Sequence, residues 1–276
     1  MTSSIKRSMS SPVDCDACAA RVDGLCALYS ANILPLPARF RAADKHLAAG
    51  EDVLGVGETF DGIYNLVEGW VALYTLLDDG RRQVLHFGLP GAVIGFQPDS
   101  SAITTYGVQA LTDAAFCFIP RKNLAPLVQE CPEIAMRLAW LMSRDRSLSF
   151  GHLTSIGRHS ARERVSQLLL ELFTRYRSQW PGHRIEELRL PLTQELIGDA
   201  TGLTGVHVNR VLRELKRDGI VEFQYRKLRI LDPDKLVQVA RIDPHLLAPW
   251  IRRHGEGEGM RAGPHTLPAR ATRVAA

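Results

Sequence analysis

The 276-residue chain carries 34 Lys/Arg against 30 Asp/Glu, a net charge of +4, and is 45% hydrophobic with five cysteines. That length and apolar fraction suffice for two packed domains, and no apolar run approaches the ~20 residues that span a bilayer. The opening residues, MTSSIKRSMSSPVD, lack the apolar core of a secretory signal, and five cysteines over this length make no disulfide scaffold, so the expectation is a cytoplasmic protein with no membrane partner and free thiols.

Residues 1–13 are polar and featureless, which predicts a disordered N-terminus. Cys15, Cys18 and Cys26 follow in a C-x2-C-x7-C arrangement, and Cys117 lies far away in FCFIP. Four thiolates are enough to hold a [4Fe-4S] cluster, and the same sulfurs suit a tetrahedral zinc ion. From Lys45 to Pro120 short apolar runs alternate with turn signals, Asp79-Gly80 among them, which predicts hairpins closing into a small barrel or roll. With the cysteine segment, this sensory roll is assigned to residues 14–130.

Helical spacing then takes over, broken at Cys131-Pro132, and predicts one helix of roughly 24 residues within a segment 131–157. Its apolar residues fall in two rows: Ile134, Leu138, Leu141 and Leu148, and Ala135, Met142, Leu153 and Ile156. Two apolar faces need two partners. One row suits the roll, and the other suits a second copy of the helix, with Arg146 and Ser149 as polar interruptions of that seam; a helix buried within a single larger domain fits the same pattern. Cys131 has no partner at ligand spacing and is read as structural, as are His46, His86 and His152.

Residues 158–252 hold 17 Lys/Arg against 12 Asp/Glu, whereas residues 1–157 hold 13 against 16. An amphipathic helix, ARERVSQLLLELFTRYR, opens this basic half. Next, Thr193 is placed to cap a short helix ending near Thr201, Gly202 permits a left-handed turn, and Thr204 caps a second helix. In that helix Val208, Val211, Leu212 and Leu215 share one face, which leaves His207, Asn209, Arg210 and Arg213 elsewhere. A helix-turn-helix presents the start of its second helix to base edges, so Thr204, Val206, His207, Asn209 and Arg210 are candidate DNA contacts, with Arg210 and Asn209 suited to guanine and adenine. Residues 219–231 have the length of a small hairpin with Arg226 and Lys227 near its tip, a wing placed to meet phosphate. Residues 253–276 are rich in Gly, Pro and Arg and predict a disordered tail. No nucleophile–base pairing or phosphate-binding Gly loop is present, so an enzyme is not expected.

The segment GLTGVHVNRVLREL resembles the recognition region of CRP/FNR-family regulators, and residues 193–210 match it without a gap. The resemblance covers roughly residues 15–240. It implies an α+β protein: an N-terminal cyclic-nucleotide-binding-like β-roll, a long dimerisation helix and a C-terminal winged helix-turn-helix. It implies a homodimer on a palindromic double-stranded operator, with Ala135, Met142, Arg146, Ser149, Leu153 and Ile156 at the dimer interface. Cyclic-AMP members are similar to one another in a Gly-Glu pair and an adjacent Arg-Ser; the matching stretch here, GAVIGFQPDSSAITTYGVQAL, has neither, so no cyclic nucleotide is expected. The cysteines resemble those of oxygen-sensing FNR regulators, in which a distant cysteine precedes an Ile-Pro like Ile119-Pro120, and the seven-residue spacer is similar to that of the FnrL/FixK-like branch. This implies a [4Fe-4S] cluster on Cys15, Cys18, Cys26 and Cys117. The alternative is a cluster-free regulator sensing a small molecule in the roll. Val206 stands where enteric members have a Glu, so their operator is not carried over. The charged turn Asp78-Asp79-Gly80-Arg81 is a candidate contact for RNA polymerase.

Overall fold

The strand-forming runs of the N-terminal half pair into two facing antiparallel sheets. The computed structural model describes residues 15, 18–21, 23–28, 35–42, 44–97, 103–178, 181–182 and 184–251, so the expected disordered ends, 1–13 and 253–276, lie outside the described residues. One sheet has the order β1-β8-β3-β6 (Lys45–Leu47, Ala114–Pro120, Gly62–Glu68, Val93–Ile94) and the other β2-β7-β4-β5 (Asp52–Leu54, Gly107–Ala110, Val71–Leu76, Arg82–Gly88). Alternation sends Tyr64, Leu66, Val71, Val108 and Phe116 into the space between them, where Phe60 stacks on Tyr64 and Phe118 meets Tyr64 at a tilt. The β4–β5 turn falls at Asp79-Gly80 as expected, with the Asp79 carboxylate accepting from Arg81 N at 3.0 Å.

Short 3-10 turns at Ala19–Arg21 and Leu25–Leu28 and helix α1 (Pro35–Phe40) precede the roll; α2 (Arg121–Glu130) and α3 (Glu133–Arg158) follow it. A second core joins them to the outer face of the β3/β8 sheet: Leu25, Phe40, Ile63, Ile119, Leu127, Ile134 and Leu141, with Cys131 buried among them. The row Ile134, Leu141 and Leu148 of α3 is buried, with Leu138 packed alongside. Among the described residues, no helix is long and apolar enough to cross a membrane.

The C-terminal half starts at α4 (Ala161–Arg177), whose Ser160 and Glu163 form a reciprocal capping box. It continues through β9 (Glu186–Arg189), α5 (Gln194–Thr201), α6 (Gly205–Arg217), the hairpin β10/β11 (Val221–Gln224, Lys227–Ile230), α7 (Pro233–Ala240) and α8 (Pro244–Leu247). The three strands make a β10-β11-β9 sheet, so the architecture is a β-roll, a long helix and a winged helix-turn-helix of α+β class.

The two halves share one core. The outer face of the β4/β5 sheet, with Trp70, Ala72, Tyr74, Val84 and Phe87, packs with Leu168, Leu169 and Leu172 of α4. Polar groups lock this junction: Arg175 donates to Phe87 O at 2.6 Å and to Glu171 at 2.9 Å, His152 of α3 pairs with Glu171 at 2.5 Å, and Arg82 bridges to Asp199 of α5 at 2.9 Å. The sequence pattern shows that these faces are apolar but not that they cover one another, so the junction is a finding of the structure.

Candidate functional sites

The helix-turn-helix is built by local chemistry. Thr193 Oγ1 accepts from Leu196 N at 3.1 Å and Thr204 Oγ1 from His207 N at 3.3 Å, so each helix starts at its expected cap. Between them Gly202 adopts φ +67°, a conformation that costs a residue with Cβ. Val208, Val211, Leu212 and Leu215 anchor α6 in the core. That anchoring turns Thr204, Val206 and Arg210 to solvent, Val206 being 84% exposed, with His207 and Asn209 half-buried beside them.

The candidate base-reading side chains are pre-positioned to different degrees. Arg210 Nη2 lies 2.8 Å from His207 Nε2 and its Nε 4.0 Å from Glu214, ties loose enough to exchange for a base edge. Asn209 Nδ2 instead donates to Gln194 Oε1 at 3.0 Å, clamping the start of α5 to α6. Gln194 shares that edge of the motif and was not singled out by sequence, because a Gln at a helix start carries no pattern of its own.

In the wing, Tyr225 and Arg226 both have positive φ, +51° and +61°, and make the two-residue turn between β10 and β11. Arg226 is exposed at the tip, its carbonyl accepting from Leu190 N, while Lys227 is paired with Glu187 at 2.7 Å. Tyr225, 94% exposed, projects beside them. Its exposure follows from the turn, which alternating hydrophobicity does not specify.

A second candidate site lies on the outer face of the β3/β8 sheet. Cys15, Cys18, Cys26 and Cys117 line one cavity together with Ala20, Leu25, Val67, Ile119, Arg21, Arg41 and Asn65. Cys26 sits in the turn at 25–28, Cys18 and Cys15 just precede the turn at 19–21, and β8 presents the fourth cysteine against Asn65 of β3. None of the four is in a disulfide. Burial pushes the Cys26 thiol up to about 12, with Cys117, Cys18 and Cys15 adding to the effect and Arg21 opposing it. Burial likewise pushes Cys117 up to about 12, opposed by Arg41, whose side chain hydrogen-bonds to it. Such sulfurs become thiolates when a cationic centre takes the protons' place. Among the described residues no group of three or more His, Cys, Asp or Glu side chains is set to hold a metal ion as it stands.

The cysteine segment touches the long helix. Arg137 of α3 donates to Gly24 O at 3.0 Å and Asp23 O at 2.7 Å, and its guanidinium lies 4.3 Å from the centre of the Trp140 ring. Beyond it, Ala135, Arg146, Ser149, Leu153 and Ile156 are exposed and Met142 half-buried. Ala139, Phe150 and an apolar hollow of about 360 Å³ next to Leu25, Leu124, Ala135 and Met142 extend this open face. Ala139 and Phe150 belong to the face but were not among the residues the sequence picked out.

A Crp-like helix-turn-helix domain model matches residues 163–239, and a cyclic nucleotide-binding domain model matches residues 44–131. The nitrogen fixation regulation protein FixK of Rhizobium meliloti is 32% identical over 68% of this chain and 82% of its own length. FixK of Bradyrhizobium diazoefficiens is 29% identical over 82% and 93%, and the transcriptional activator protein FnrL of Cereibacter sphaeroides 29% identical over 71% and 79%. The structure of FixK2 from Bradyrhizobium japonicum superposes with a TM-score of 0.64 at 27% identity, covering 74% of this chain and 98% of that one.

Proposed function

The chain belongs to the CRP/FNR family of DNA-binding transcription regulators, and from that premise we propose that it answers to oxygen through a [4Fe-4S] cluster on Cys15, Cys18, Cys26 and Cys117 and binds a palindromic operator as a homodimer in the cytoplasm. The observation that carries the sensing reading is the convergence of these four cysteines, three from the N-terminal segment and one from β8, on a single cavity with two arginines in its wall. A cluster bound by four thiolates carries net negative charge, and Arg21 and Arg41 suit it while Ala20, Leu25, Val67 and Ile119 keep water away. The group supplies an oxygen-labile tie between the N-terminal turns and β8.

Residues of this chain carry the rest. Arg137 holds the main chain of the cysteine segment to α3, so ordering that segment orders the N-terminal half of the long helix. Ala135, Ala139, Met142, Arg146, Ser149, Leu153 and Ile156 recur with the 4–3 spacing of a coiled-coil seam, which a second α3 covers. The dimer sets two α6 helices to read half-sites about one helical turn apart, Arg210 at a base edge, Arg226 and Lys227 on phosphate. The exposed turn Asp78-Asp79-Gly80-Arg81 is a candidate contact for RNA polymerase.

Anaerobic purification followed by iron, sulfide and visible-absorbance measurement before and after air tests the sensor. About four irons per chain and bleaching in air are expected. Zinc alone, or no metal, removes the cluster and leaves a regulator whose roll senses a small molecule.

A further inference from the structure

Asn65 is 3% exposed, and among the described residues neither its Nδ2 nor its Oδ1 has a hydrogen-bond partner. Buried amides are rarely left so, and an orphan of this kind marks a missing partner. Its position says which. Along β3, Tyr64 and Leu66 enter the roll, whereas Ile63, Asn65 and Val67 face the other way, toward the cysteine segment. The antiparallel register sets Asn65 directly opposite Cys117, so the two side chains leave the sheet on the same face, into the cavity that all four cysteines line. Ile63 and Val67 on this face are apolar, and an apolar residue at 65 would complete that wall at no cost in unpaired polar atoms.

Resting on the cluster reading above, we propose that Asn65 donates its side-chain N–H to a sulfur of the iron–sulfur cluster at this cavity, acting as a positioning and tuning residue. Cluster sulfides and cysteine thiolates accept such bonds, and hydrogen bonds to sulfur are among the levers by which a protein sets cluster stability and potential. Arg41 already bonds to Cys117 from one side, and Asn65 supplies the neutral donor beside it.

The test compares the wild-type full chain with Asn65→Leu, similar in volume but without a donor, and Asn65→Thr, which keeps a hydroxyl donor. Each is melted without metal, then loaded anaerobically with ferrous iron and sulfide and mixed with air-saturated buffer. The metal-free melting temperature of Asn65→Leu should equal or exceed that of wild type, because the change removes an unpaired buried amide. Its loaded form should bleach roughly tenfold faster than wild type, the size expected for losing one charge-assisted hydrogen bond, with Asn65→Thr in between. Equal bleaching of wild type and Asn65→Leu at equal iron content overturns this role while the cluster stands. A metal-free Asn65→Leu protein that melts well below wild type shows a structural role and also overturns it. Wild type that takes up no iron, or zinc only, overturns both this role and the cluster itself.

Discussion

Arg210 combines an exposed guanidinium with an anchored backbone: Val208 and Val211 on either side of it are buried, so its stem leaves the helix in a fixed direction. The His207 and Glu214 groups that hold it are only half-buried, and such partners surrender it cheaply. Arg210→Ala should therefore lose about 1–3 kcal/mol of discrimination at one base pair of each half-site, read by binding to a panel of single-base operator variants. Uniform weakening across the panel would make it a phosphate contact. At this scale much was legible: Thr193, Gly202 and Thr204 announce the motif because caps and left-handed turns accept few residue types. Asn65 and Arg41 were not legible, since a lone Asn in a strand acquires meaning only when the sheet register sets it against Cys117, and the Arg only when its side chain is seen hydrogen-bonding that thiol.

At the scale of elements, the proposed dimer rests on α3. Its buried row and its open row were both visible in the helical period, and the structure places Ile134, Leu141 and Leu148 inside and Leu153, 71% exposed, outside. The open row is poorly equipped: Ala135 and Ala139 offer little area, and Arg146 and Ser149 interrupt it. Leu153→Asp should forfeit roughly 2 kcal/mol of burial per protomer and raise the dimer dissociation constant by about two to three orders of magnitude. Ser149→Leu should do the reverse and give a dimer without metal, both readable by analytical ultracentrifugation of loaded and metal-free protein. Metal-free wild type that stays dimeric at nanomolar concentration would show that the polar interruptions do not weaken the seam. The extent of the face was less legible than its existence, because the sequence does not show that the roll leaves Phe150 uncovered.

The whole molecule is joined at a junction of buried charge. Burial pushes Glu171 toward its neutral form, but His152 and Arg175 overcome this and hold the carboxyl at about 2; burial opposes the His152 charge, and Glu171 raises it above 6.5. Burial and Arg175 together hold His86 neutral, well below 6.5. A depressed carboxylate contributes stability above its unfolded value near 4.5 and loses it as the pH falls toward 2. A raised imidazole contributes fully below 6.5 and loses that as the pH climbs through its folded value. Glu171→Gln should thus cost about 3 kcal/mol, and the gap in melting temperature from wild type should be widest between pH 4.5 and 6.5 and narrow on either side. A gap constant with pH would place the stabilisation elsewhere. The docking of the two halves was the least legible part of the fold: Trp70, Val84 and Phe87 read as ordinary strand residues until α4 is seen covering them.

The grip of Arg137 on the cysteine segment engages main-chain oxygens, those of Asp23 and Gly24. Every residue type offers that oxygen, so the two hydrogen bonds themselves set no demand on the side chain at 23, although the Asp23 charge also favours the guanidinium. Gly24 is not free, since a Cβ there would lie 2.4 Å from Ala20 O and 2.9 Å from Gly91 Cα. On the proposed sensing reading the stretch between Cys18 and Cys26 works as a ruler: what it conveys to the long helix is a length, and adding or removing one residue should break the connection even where every thiol survives.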